Sequence, residues 1–237
     1  MNKSLSYLCN FWGSSIGKKI VVAVTGAFLA LFLAGHLSGN MLLYIPDHGH
    51  AFNEYAYFLH HMLHGAGVWI ARIGLLVCFV LHIVGTVQLT IANRSAGEKY
   101  KTDGTQRSSF SSKMMIWSGL TILAFIVYHI LHFTVRIGNE YDNPDLYNIV
   151  YDGEVYHNAY KMVVDGFNWA PATIFYVIAV TLLCSHLSHG VASVFQTLGL
   201  RTSKTESLIN IGSKVYSLVI WIGFISIPIS VMVGIIK

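Results

Sequence analysis

The chain has 237 residues, of which 54% are hydrophobic and only 11% are Asp, Glu, Lys or Arg. Soluble domains carry about 25% charged residues, so a water-soluble globular protein is excluded before any motif is read. The formal charge of +4 matters through its distribution, and Cys9, Cys78 and Cys184 form no disulfide framework; Cys78 and Cys184 sit in apolar runs as small hydrophobes.

Five apolar stretches are each long enough to cross roughly 30 Å of hydrocarbon, which takes about 20 helical residues. The first covers residues 20–43, following Lys18 and Lys19. It is too long for the apolar part of a signal peptide and lacks a small-residue cleavage site. The connection after it, PDHGHAFNEYAYFLHHMLHGAG, mixes aromatics and histidines and predicts an amphipathic helix lying in the interface. The second stretch covers 68–91 and the third 114–135. The next connection carries Glu140, Asp142, Asp145, Asp152, Glu154 and Asp165 and is expected to hold a short helix or surface turns. The fourth stretch covers 171–196, with Pro171 suited to a first helical turn, and the fifth covers 211–236, where Pro228 predicts a kink. Continuous runs of this length exclude a barrel, so the expected fold is an all-α transmembrane bundle of five helices forming a single domain over residues 1–237.

Basic residues orient such a bundle. Lys3, Lys18, Lys19, Arg94, Lys99, Lys101, Arg107, Lys113, Arg201, Lys204 and Lys214 fall on one side; Arg72, Arg136, Lys161 and Lys237 fall on the other. The N-terminus is therefore expected in the cytoplasm and the C-terminus outside. The inside positive charge is topogenic and does not indicate nucleic acid.

Polar groups at membrane depth are costly and usually functional. His36, His82, His129, His132, His186 and His189 lie in the first four stretches. At 1.5 Å rise per residue, His36 is about 12 Å and His129 about 10 Å from the outer ends. His82 and His186 are roughly 16 Å and 15 Å from the inner ends. Two pairs at two depths result: His36 with His129 on the first and third helices, His82 with His186 on the second and fourth. Paired imidazoles supply both axial ligands of a haem iron, closing it to oxygen and suiting it to electron transfer. Each Nδ1–H then needs an acceptor, commonly a carbonyl one turn earlier. Gly35, Gly39, Gly85 and Gly190 would make room for the macrocycle. His132 and His189 stand three residues from a nominated ligand and could replace it, or contact a propionate or a quinone. Arg136 could meet an outer propionate or simply snorkel. A diiron centre is excluded, since no single metal gathers His60, His61 and His64 with His186 and His189 from opposite depths.

At these segments the chain resembles the cytochrome b membrane anchor of succinate dehydrogenase and fumarate reductase, in its one-subunit, five-helix, two-haem form. The resemblance is carried by SSIGKKIVVAVTGAFLALFLAGHLSGNM, AFNEYAYFL, LLVCFVLHIVGTVQL, SGLTILAFIVYHILHFTVR and HLSHGVASVFQTLGL. It implies two haems b, the outer held by His36 and His129 and the inner by His82 and His186, with the first histidine of each HxxH as ligand. It also implies a flavoprotein subunit with FAD and an iron–sulfur subunit on the cytoplasmic face, in a bacterial inner membrane, and a homodimer of the whole complex. The chain's own task would then be electron transfer to or from menaquinone in the surrounding lipid, with Glu54 a candidate for quinone proton transfer. Cys184 replaces a glutamate that some relatives carry, so their proton route is not transferred. Two alternatives stay open: a haem b anchor of a formate dehydrogenase or hydrogenase, and a haem-free transporter or structural membrane protein.

Overall fold

Ser14 sets where the first long helix starts. Its hydroxyl oxygen accepts from the Gly17 N–H at 2.9 Å, closing one of the open donors of the first turn. In this computed structural model, residue 7, residues 10–99 and residues 110–237 are described, with backbone alone at 96–99 and 110–114. Lys3, Cys9, Lys101 and Arg107 lie outside the described residues, as do the side chains of Lys99 and Lys113.

From Ser14 the chain enters α1 (Ser15–Asn40), which continues as a 3-10 turn (Met41–Tyr44). There follow α2 (His50–His61), α3 (Ala66–Lys99) and α4 (Phe110–His129), the last running into a π-turn over Ile130–Val135. Beyond it come α5 (Pro144–Tyr147), strands β1 (Asn148–Tyr151) and β2 (Glu154–His157), and α6 (Ala159–Asn168). The chain ends with α7 (Ala170–Thr197) and α8 (Glu206–Met232). Among the described residues, five segments are long and apolar enough to span a membrane: Ser15–Tyr44, Ala66–Ser95, Met115–Val135, Ala170–Thr197 and Glu206–Met232. The architecture is an all-α bundle of five membrane-spanning helices, and the spans differ from the expected ones by a few residues at their ends.

Helices in lipid gain little from hydrophobic burial against each other, so small residues and polar contacts hold them. α7 packs along α8 and α1 along α3, while α4 lies mainly against α7. A Cβ on Gly223 would fall 2.6 Å from Leu37, and one on Gly85 would fall 2.6 Å from Val22, so both glycines permit close helix approach. The Ser217 hydroxyl donates to the Cys184 carbonyl at 2.7 Å and the Trp221 N–H to Thr181 at 3.0 Å, tying α8 to α7. The Tyr216 hydroxyl donates to the Ala30 carbonyl, tying α8 to α1. Cys184 is a buried free thiol and Cys78 a half-buried one. Pro228 is accommodated inside α8, which runs on for four residues.

The acidic connection is more structured than expected. Beyond the short helix it holds a two-stranded antiparallel hairpin, with Tyr151 opposite Glu154, and the ten-residue α6. Asp152 and Gly153 both take positive φ, the signature of a two-residue hairpin turn. α6 sends Val163, Val164 and Phe167 into the same core as Leu37, Tyr176 and Val231, so this layer caps one end of the bundle. Asn53, fully buried, pins it. Its amide donates to Tyr151 and Asn158 at 3.3 and 3.2 Å, and its oxygen accepts the Tyr160 N–H at 2.9 Å. The predicted amphipathic helix is α2, and it packs against α6 and β2.

Candidate functional site

α1 and α4 share no extended packing, yet each sends one histidine into the space between them. The rings of His36 and His129 stand 5.9 Å apart between centroids, at 76°. Phe32 stacks on His36 at 5.4 Å, Phe224 approaches it at 5.6 Å, and Phe125 flanks His129 at 5.9 Å. Two imidazoles that bind one metal through ring nitrogens at about 2 Å hold their centroids roughly 6 Å apart. The observed separation fits that geometry.

The second layer is built differently. His82 on α3 lies against α1, where a Cβ on Gly26 would come within 3.0 Å of its ring. His186 on α7 faces α4. The rings of His82 and His186 are in electrostatic range of each other, and His189 is in range of His186.

Hydrogen bonds fix the tautomers in this layer. Nδ1 of His82 lies 3.1 Å from the Val22 carbonyl, which only accepts, so Nδ1 carries the proton. The Thr25 hydroxyl, 3.3 Å away, already donates to the Val21 carbonyl at 2.7 Å and also accepts from that N–H. Nδ1 of His186 lies 3.1 Å from the Ser118 hydroxyl, which itself donates to the Met115 carbonyl at 3.1 Å. Ser118 therefore accepts from His186. Both rings keep the Nε2 lone pair, the metal-binding form. The acceptors come from neighbouring helices and not, as expected, from the carbonyl one turn back. That correction has a simple cause: each ring turns away from its own helix towards a neighbour, and the acceptors it reaches, the Val22 carbonyl and the Ser118 hydroxyl, lie on that neighbour. In the first layer Nδ1 of His129 meets the Tyr176 hydroxyl at 3.1 Å. His36 is held differently: the Asn40 amide nitrogen, which only donates, bonds the His36 carbonyl at 2.7 Å and lies 3.4 Å from Nδ1, so this contact supplies no acceptor for a proton on Nδ1.

The four glycines expected to make room divide evenly. Gly39 and Gly85 are filled by Tyr55 and Val22 and serve helix packing, whereas nothing lies within 4 Å of a Cβ built on Gly35 or Gly190. Room at Gly35 and Gly190, aromatic rings around the first layer, and Nε2 lone pairs on His82 and His186 make the residues present fit a bis-imidazole haem. Among the described residues no three His, Cys, Asp or Glu side chains gather as a site for a bare ion; axial ligation requires only two.

The remaining predicted residues lie around these layers. His132 bonds through Nδ1 to the same Tyr176 hydroxyl at 3.2 Å. His189 is exposed near the opposite end of α7. Arg136 ends the π-turn at φ 60° and pairs with Asp142 at 2.5 Å, leaving its buried Nε without a partner. Glu54 is exposed on α2, within electrostatic range of Tyr156. His60 and His61 bond back to the Ala56 and Tyr57 carbonyls at 2.8 and 2.9 Å.

Sequence reasoning missed Thr25, Ser118 and Tyr176, whose hydroxyls orient the rings. A hydroxyl inside an apolar run was the available signal, but the histidine it meets is a matter of packing. It also missed His157, whose Nε2 is buried without a partner. Burial, and then the neighbouring Arg136 charge, hold His157 down to about 4. Compared with family models, curated proteins and solved structures, the chain matches none, so the residues themselves carry the functional argument.

Proposed function

We propose that this membrane bundle is a dihaem cytochrome b anchor of a quinone-linked oxidoreductase. The finer assignment is a succinate:menaquinone oxidoreductase or menaquinol:fumarate reductase. The observation that carries the reading is the meeting of His36 and His129 at 5.9 Å from helices that do not otherwise pack along one another.

His36 and His129 would hold one haem b and His82 and His186 the other, all through Nε2. A bis-imidazole haem carries single electrons and offers oxygen no open position. The chain's own residues would do the rest. Val22, Thr25, Ser118 and Tyr176 orient the imidazoles through Nδ1. Phe32, Phe125 and Phe224 exclude water around the first layer. The unpartnered Nε of Arg136 is suited to a propionate carboxylate. Glu54, at the exposed surface of the capping layer, would exchange protons with a quinone arriving from lipid. Reduction of a dicarboxylate, or its oxidation, would belong to a flavoprotein subunit with FAD. An iron–sulfur subunit on the cytoplasmic face, where the basic residues lie, would link it to this chain.

Native purification with subunit identification, a reduced-minus-oxidised spectrum and assays with succinate and menaquinol test this. Two b-type haems per chain and a co-purifying flavoprotein are expected. A nickel or molybdenum subunit would transfer the anchor to a hydrogenase or formate dehydrogenase, and a chain without haem would defeat the reading altogether.

A further inference from the structure

Tyr176 stands between two histidines with one proton to give. Its hydroxyl oxygen lies 3.1 Å from Nδ1 of His129 and 3.2 Å from Nδ1 of His132. A phenol donates once and accepts through its oxygen. Among the described residues these two nitrogens are the hydrogen-bond partners of the Tyr176 hydroxyl, so its proton goes to one of them, which presents a lone pair at Nδ1 while the other presents N–H. The two rings therefore hold opposite tautomers, and only one of them keeps a lone pair at Nε2.

The other layer shows which way round this goes. Thr25 and Ser118 each spend their proton on a carbonyl, of Val21 and Met115, and so can only accept from His82 and His186. In the first layer the ring that meets His36 is His129. If Tyr176 follows the same pattern, it accepts from His129 and spends its proton on His132. We infer that Tyr176 and His132 together select His129 as the metal-binding member of this pair: His132 takes the Tyr176 proton, which leaves Tyr176 able only to accept from Nδ1–H of His129. His132 is then no ligand and no alternative to one. It is a positioning residue acting through Tyr176, equivalent to the carbonyls that occupy Ser118 and Thr25. The identity of the metal group rests on the haem reading; the tautomers do not.

The consequence is specific. In His132→Leu the Tyr176 proton has lost its acceptor and turns to Nδ1 of His129, moving the His129 proton to Nε2 and removing the metal-binding lone pair. In Tyr176→Phe no proton competes, and in the double variant none does either. Nitrogen-15 spectra of the full chain, histidine-labelled in lipid nanodiscs from haem-limited cells, read the tautomers directly. The wild type should show His129 protonated at Nδ1 and His132 at Nε2. His132→Leu should flip His129, and adding Tyr176→Phe should release it. In haem-replete preparations, His132→Leu should lose the haem of that layer and the double variant should recover it. His132 protonated at Nδ1 in the wild type, or His129 unchanged in His132→Leu, overturns the inference, and the wild-type spectrum decides even if a variant does not fold. A haem-free chain that keeps the expected tautomers would refute the haem reading and leave this one standing.

Discussion

His36 and His129 approach to 5.9 Å between ring centroids, although the helices that carry them are held in place by other neighbours. α1 is fixed by α3, α7 and α8, and α4 by α7. If the two imidazoles share one metal group, either is useless without the other. His36→Ala and His129→Ala should each remove the same haem, and the double variant should remove no more than one. His82→Ala and His186→Ala should behave likewise for the second. Haem per chain by pyridine haemochromogen assay checks this; a variant that loses both haems, or a double that loses more than its singles, contradicts the pairing.

Glycines that look alike in sequence should respond in opposite ways. A side chain on Gly35 or Gly190 enters open space, so Gly35→Leu and Gly190→Leu should leave the stability of the haem-free chain within about 0.5 kcal/mol. On the haem reading they should also lower haem content, because each side chain would take up room beside a proposed ligand. Gly85→Leu meets Val22 from 2.6 Å and should cost about 1–3 kcal/mol by overpacking. Thermal melts before and after haem loading separate the two classes.

Asn53 should be the most sensitive residue of the capping layer. Asn53→Leu removes the acceptor of the Tyr160 N–H and both amide bonds from a fully buried site. Leaving such groups unmatched costs about 1–3 kcal/mol each. The expected loss is roughly 3 kcal/mol, seen as fast hydrogen exchange in α2, the hairpin and α6 with α7 and α8 still protected.

Acid should loosen the same layer. His157 is held down to about 4 by burial, then by Arg136, with His60 adding to the effect and Asp142 opposing it. Its folded value lies below the unfolded one, so the unfolded chain binds the extra proton first. The contribution is fully present above about pH 6.5 and is lost as pH falls towards 4. The full shift corresponds to about 3 kcal/mol; solvent around this half-buried ring reduces it to roughly 1 kcal/mol. Limited proteolysis of the hairpin across that range should show the change, and His157→Gln should flatten it.

The five spans were legible because length and apolarity alone decide whether a helix can cross a bilayer. The meeting of His36 with His129 was legible for the same reason, since rise per residue needs no tertiary information. What each ring bonds to was not. Thr25, Ser118 and Tyr176 stand out as polar residues in apolar runs, but the helix facing each one depends on packing. The hairpin had a local signal, Asp152-Gly153 between Val150–Tyr151 and Glu154–Tyr156, obscured by the acidity of its surroundings. The π-turn at Ile130–Val135 had none, because its apolar composition matches the helix before it.

The layer pinned by Asn53 covers one end of the bundle. His36 and His129 sit beneath it, whereas His82 and His186 lie towards the end that closes with a short turn after Thr197; the described residues include no comparable lid there. Among the described residues, then, one storey is sheltered and the other more open. Identical imidazole pairs placed in them would differ in contact with bulk water, and anything they held would inherit a built-in inequality between the two floors.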